Sequence, residues 1–174
     1  MTLTRRLARL RVPLGFGFGV LCVWLARPSP STWIAGAIVA LGGEAIRIWA
    51  AGHLEKNLGV TTTGPYRWTR HPLYVGSTVM GAGLVIAAAR VDVAALVALY
   101  LVTTFTAAVR TEERFLEERF GERYVRYRNG EADADSRRFS WARALGNREY
   151  RALLGLTVVM GLLAWKAWAA APPV

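Results

Sequence analysis

The apolar residues of this chain fall in five long blocks, at about residues 12–26, 32–51, 72–89, 93–109 and 150–170. Within the blocks they lie on every side of a helical wheel instead of forming one stripe. A helix apolar on all faces must be buried in protein or in lipid. Crossing a hydrocarbon core takes roughly twenty such residues. A chain of 174 residues cannot hide several such helices inside one soluble core. The expected fold class is therefore all-α: a polytopic membrane helical bundle of about five transmembrane helices, forming a single domain over residues 1–174. No internal repeat is visible.

Charge supports this reading. The formal net charge is +10 and 53% of residues are hydrophobic, with a mean hydropathy of +0.26 and a pI near 10.8. In a soluble protein such basicity would raise nucleic-acid binding, but no recognised binding motif accompanies it. The basic residues instead collect at the ends of apolar blocks, the pattern of a membrane surface. The partner is the lipid bilayer and not nucleic acid.

The arginines also orient the chain. Arg5, Arg6, Arg9 and Arg11, the loop from Lys56 to Arg70, and the stretch from Arg110 to Arg151 are the positive segments. Five spans put all three on one side, facing only Arg27, Arg90 and Lys166 on the other. The positive-inside rule then places the N-terminus and both polar segments in the cytosol. The excess of arginine over lysine suggests a bacterial inner membrane. The first block reads as a retained span, because Arg27-Pro28-Ser29-Pro30 makes a poor signal cleavage site.

Several positions carry their own expectations. Gly15 and Gly19 lie one turn apart and would admit a neighbouring helix. Glu44 and Arg47 lie three residues apart inside the second block. They either pair to hide charge, or one of them faces a polar cavity in the bundle. Arg90-Val91-Asp92 is a tight turn that makes the third and fourth blocks an antiparallel hairpin. From Arg110 to Arg128, Phe115, Leu116, Phe120, Tyr124 and Tyr127 recur at helical spacing amid charge, giving a cytosolic amphipathic helix. Cys22 is the only cysteine, and with two histidines no metal site is expected.

Chemistry concentrates in the two cytosolic segments. The first reads Gly64-Pro65-Tyr66-Arg67-Trp68-Thr69-Arg70-His71-Pro72-Leu73-Tyr74-Val75-Gly76. It runs into a helix at Pro72, where free amides would favour an anion. His53, Lys56 and Asn57 could join the same cytosolic mouth. The second holds Glu112-Glu113, then Phe120-Gly121-Glu122-Arg123-Tyr124-Val125-Arg126-Tyr127. Arg-His-Pro-x-Tyr-x-Gly at a helix start, followed one span later by the acidic pair and the tyrosine run, resembles the superfamily of isoprenylcysteine carboxyl methyltransferases and phospholipid methyltransferases. Gly81-Ala82-Gly83 resembles the Gly-x-Gly of the latter, although such a pair also serves helix packing. The resemblance covers residues 64–127.

It implies S-adenosylmethionine as cofactor, reached from the cytosol, and a lipophilic small-molecule or prenylated acceptor entering from the membrane. It places Tyr66, His71, Pro72, Leu73, Tyr74, Gly81, Gly83, Glu112 and Glu113 at the cofactor, and Arg70 and His71 at the chemistry. Arg110, Tyr124 and Tyr127 become candidate acceptor contacts. The cofactor's amino-acid end carries both charges, which Arg70, the helix start and the Glu112-Glu113 pair could meet. Its sulfonium and adenine favour aromatic faces. The acceptor could be a prenylcysteine-like carboxylate, a phospholipid amine or a thiol. An amine would need a base, for which His71 is the candidate. A nicotinamide-dependent sterol-type reductase is the competing enzyme class. The Gly64–Tyr74 loop offers few arginines for its phosphates. The pattern does not specify the oligomeric state.

Overall fold

The computed structural model describes residues 15, 17–56, 58–131 and 135–169, and all of their regular structure is helical. The arginines at positions 5, 6, 9 and 11, most of the first block before residue 17, Asn57 and Ala170 lie outside the described residues. Helix α1 covers residues 17–25. It is followed by α2 (Pro30–His53), α3 (Pro72–Ala88), α4 (Val91–Phe120), α5 (Glu122–Arg128), α6 (Trp141–Gly146) and α7 (Tyr150–Ala169). Three of these, α2, α4 and α7, are long and apolar enough to cross a membrane, and α3 is a shorter apolar helix of 17 residues.

Local chemistry explains where the helices start. Ser29 caps α2 through a reciprocal box with Thr32, and Pro30 occupies the first turn, where a missing amide costs nothing. Pro72 begins α3 in the same way. The α3–α4 hairpin is tighter than its sequence suggested. Ala89 turns through a left-handed conformation at φ 52°, and helix resumes at Val91. Asp92 then accepts the Val93 amide at 2.9 Å.

The central packing is α2 against α3. Gly36, Ala40 and Gly43 of α2 face Gly76, Met80, Gly83 and Ala87 of α3 so closely that a Cβ on any of the four glycines would strike the opposing helix. Small residues at this spacing let backbones meet and gain dispersion contacts that lipid cannot replace. Gly15 meets the Tyr100 hydroxyl of α4, whereas Gly19 has open space around it.

The expected amphipathic helix is not a separate element in its first half. Helix α4 runs unbroken for 30 residues, about 45 Å at 1.5 Å per residue, against a hydrocarbon core of roughly 30 Å. Its charged end therefore projects beyond the bundle. Gly121, at φ 49°, then turns the chain into α5. The segment 135–149 closes over the end of α2. Asn147 Nδ2 donates to the Ala51 and Leu54 carbonyls at 2.9 and 2.8 Å, and the Ser140 amide donates to the Gly52 carbonyl at 3.0 Å. These are the orphan acceptors that any helix leaves at its C-terminus.

Candidate functional site

The loop before α3 is built around Gly64. Its φ of +59° suits glycine, and a Cβ there would lie 2.6 Å from His53 Nδ1. Pro65 starts a short 3-10 turn over Gly64–Arg67 that buries Tyr66. Tyr127 of α5 holds this turn from behind, its hydroxyl donating to the Tyr66 carbonyl at 2.7 Å. The loop then delivers His71 to the N-cap of α3. The Tyr74 and Val75 amides donate to the His71 carbonyl at 3.0 and 3.2 Å. One amide expected to be free at this helix start, that of Tyr74, is thus engaged, the Val75 bond being the first ordinary bond of the helix.

The acidic pair of α4 comes down beside His71. Glu113 Oε1 lies 3.2 Å from His71 Nε2 and 2.8 Å from Arg70 Nη1. Glu112 Oε2 lies 3.9 Å from His71 Nδ1. Both ring nitrogens therefore face carboxylates. Burial, with Glu112 nearby, raises the pKa of the Tyr66 phenol well above its ordinary range. Burial and Tyr124 push Tyr127 up to about 12. Burial and Glu113 raise Tyr124, with Arg70 opposing. All three phenols stay neutral at physiological pH and act as hydroxyls.

These residues border a polar cavity of about 320 Å3. Tyr66, Arg70, His71, Pro72, Leu73, Tyr74 and Glu112 line it, together with Lys56. Arg47, Ser77, Tyr100, Thr104, Phe105 and Glu149 complete it from inside the bundle. A second cavity of about 310 Å3 lies among α1, α3, α4 and α7. Its walls are almost wholly apolar, with Phe18, Cys22, Leu84, Val97 and Leu163 among them. The two cavities share Ser77, Tyr100 and Phe105.

Other expected residues fall elsewhere. Gly81 lines the apolar cavity, and Gly83 lies against the α2 backbone near Ala40. Arg110 is exposed and borders neither cavity. Glu113, Tyr124 and Tyr127 support the polar cavity from outside its lining. His53 is buried with Nδ1 3.0 Å from the Trp49 carbonyl, outside the cavity. Sequence reasoning missed Glu149. Its only signal was an acid immediately before the last apolar block.

The sequence model of the phospholipid methyltransferase family matches residues 33–123. The chain belongs to this family. The matched region runs from α2 through the start of α5, so it includes Arg47, the loop, α3 and the acidic pair but not Glu149. Members of this methyltransferase family use S-adenosylmethionine, and membership supports a membrane methyltransferase. The chain is also 33% identical over 99 residues to a nickel-cobalt-cadmium resistance protein of Alcaligenes xylosoxydans xylosoxydans. It is 34% identical over 99 residues to a cobalt-zinc-cadmium resistance protein of Cupriavidus metallidurans. Each alignment covers 52% of this chain and 46% of the relative, so the chain spans about half the length of the curated relatives it matches. No solved structure matches the chain. Among the described residues, no group of three or more His, Cys, Asp or Glu side chains is placed to hold a metal ion.

Proposed function

We propose that this chain is an integral membrane methyltransferase of the bacterial inner membrane. It takes S-adenosylmethionine from the cytosol and methylates a lipophilic acceptor. The observation that carries this reading is the meeting of a polar and an apolar cavity at Ser77, Tyr100 and Phe105. The polar cavity opens beside Lys56, Arg70 and the His71 helix start, where a charged, water-soluble cofactor can arrive. The apolar cavity lies within the bundle, where a lipid-like chain can enter without crossing water.

The lining fits the cofactor's chemistry. Tyr66, Tyr74, Tyr100 and Phe105 offer faces and edges to a sulfonium and an adenine. Glu112, Arg70, Arg47 and Glu149 offer both charge signs to its amino-acid end. Buried polar atoms without hydrogen-bond partners, among them His71 Nδ1 and Glu149 Oε1, leave capacity for a polar ligand. The bound cofactor supplies an activated methyl group. This chain's residues hold the nucleophile in line and keep water out.

The prenylcysteine-like carboxylate remains the favoured acceptor, with a phospholipid amine or a thiol as alternatives. A carboxylate needs no base. An amine does, and His71 is the candidate base. The positive-inside rule supports an active site on the cytosolic side. The resistance functions in the relatives' names concern those proteins.

Titration of the detergent-solubilised protein with S-adenosylhomocysteine and with NADPH tests the cofactor. Saturable S-adenosylhomocysteine binding that is weakened in His71→Ala and Glu112→Ala supports the proposal. Binding of NADPH alone overturns it. A radiolabelled methyl assay over prenylcysteine, phosphatidylethanolamine and a long-chain thiol then separates the acceptors.

A further inference from the structure

The inner end of the polar cavity holds a charge cluster that the family signature does not contain. Arg47 lies on α2 six residues before its end, and Glu149 stands directly before α7. Arg47 Nη2 and Glu149 Oε1 are 2.6 Å apart, with side-chain exposures of 19% and 8%. Glu44, only 2% exposed, flanks the guanidinium on its other side, Oε2 lying 3.7 Å from Arg47 Nε. Arg47 Nη1 donates to Ser77 Oγ and, at 3.4 Å, to the Leu73 carbonyl.

The cluster is held in place yet incompletely satisfied. Arg47 Nε, both Glu44 carboxylate oxygens and Glu149 Oε1 lack an aligned hydrogen-bond partner. The Arg47–Glu149 contact is close but outside hydrogen-bonding angles. Buried polar atoms left so are costly, and a site that carries them is suited to a polar guest. Arg47 and Glu149 line the cavity and Glu44 does not, so a guest meets one positive and one negative side chain. An isolated cation or anion would match only one of these two cavity-lining groups. A zwitterion would match both.

We infer that the Arg47–Glu149 pair is a subsite for a zwitterionic α-amino-acid group, namely the amino-acid end of the cofactor. This rests on the methyltransferase reading above. The carboxylate of the guest meets Arg47 and its ammonium meets Glu149. Ser77 keeps the guanidinium facing the cavity, and Glu44 supports it from behind. The alternative anchor, Arg70, is 41% exposed, against 19% for Arg47. At that rim, water and salt weaken charge recognition. The sheltered pair does not suffer this loss. The subsite adjoins the shared wall at Ser77, so binding there leaves the sulfonium close to where the acceptor cavity opens.

The test compares S-adenosylhomocysteine with 5′-methylthioadenosine, which keeps the adenosine and sulfur but lacks the amino-acid end. Dissociation constants are measured on the full chain in detergent. Glu149→Gln and Arg47→Lys should weaken S-adenosylhomocysteine by about tenfold, the loss of one charge-assisted hydrogen bond. Methylthioadenosine should change by less than about twofold. The double variant R47M/E149M, which removes both buried charges together, should bind the two ligands alike. Its thermal unfolding guards against a folding defect. If Glu149→Gln and Arg47→Lys shift both ligands equally, or if Arg70→Met alone abolishes the discrimination, the inference is wrong. If the wild-type protein binds neither ligand, the methyltransferase reading fails instead.

Discussion

Glu113 of α4 touches both Arg70 and His71, lying 2.8 Å from the first and 3.2 Å from the second. One carboxylate thus ties the loop before α3 to a helix 42 residues further along the chain. It sets the mouth of the polar cavity without lining it. Glu113→Gln keeps the shape and removes the charge. The site is partly exposed, so the effect is modest. S-adenosylhomocysteine affinity should fall about threefold to fivefold, read by titration in detergent. An unchanged affinity would show that the loop is held by other contacts.

Tyr127 supports the same loop from α5 through the Tyr66 carbonyl. Tyr127→Phe should cost about 1 kcal/mol of stability, one neutral hydrogen bond, seen as a lower Tm. The pH dependence has a defined sign. The folded-state pKa is raised to about 12 from the phenol's ordinary 10.0. Folding therefore favours the protonated phenol. Its contribution is fully present below pH 10 and is lost as pH rises toward 12. Wild type and Tyr127→Phe should accordingly differ by the same amount at pH 6 and pH 9.

Gly81 and Gly83 look alike in sequence and should behave differently. A Cβ at Gly83 would strike the α2 backbone near Ala40, whereas one at Gly81 would meet the end of the Leu101 side chain at 3.1 Å. Gly83→Val should destabilise at or above the upper end of the ~1–3 kcal/mol that overpacking costs. Gly81→Ala should be tolerated. Thermal unfolding of the two variants in parallel checks this.

The apolar cavity offers a way to separate acceptor from cofactor. Val97 lines it and does not line the polar cavity. Val97→Phe should fill acceptor space and raise the acceptor KM by about tenfold, leaving S-adenosylhomocysteine affinity unchanged. Equal loss of both would mean that the cavity does not receive the acceptor.

Asn147 carries two of the α2 end carbonyls, those of Ala51 and Leu54. Asn147→Ala should cost about 1–3 kcal/mol. Because this segment also leads to Glu149, the variant should lose cofactor affinity together with stability, measured by titration and thermal unfolding.

Much of this was readable before any tertiary contact was known. Apolar blocks become helices because their backbone groups can bond only within the segment when water is absent. Pro30 and Pro72 mark helix starts through the fixed geometry of one residue. The loop through His71 and the Glu112-Glu113 pair stood out because type, order and spacing all lie along the chain. Glu149 did not stand out, since its role depends on α7 placing it beside a residue 102 positions earlier. Glu44 and Arg47 lie 3.7 Å apart and Arg47 also lines the polar cavity, which only packing could reveal. Packing likewise left Arg110 outside and assigned Gly83 to the α2 contact. Hydrogen-bond ladders and caps are decided by neighbours within four or five residues. A cavity is the space left between helices, and its lining is decided by which faces pack and which remain apart.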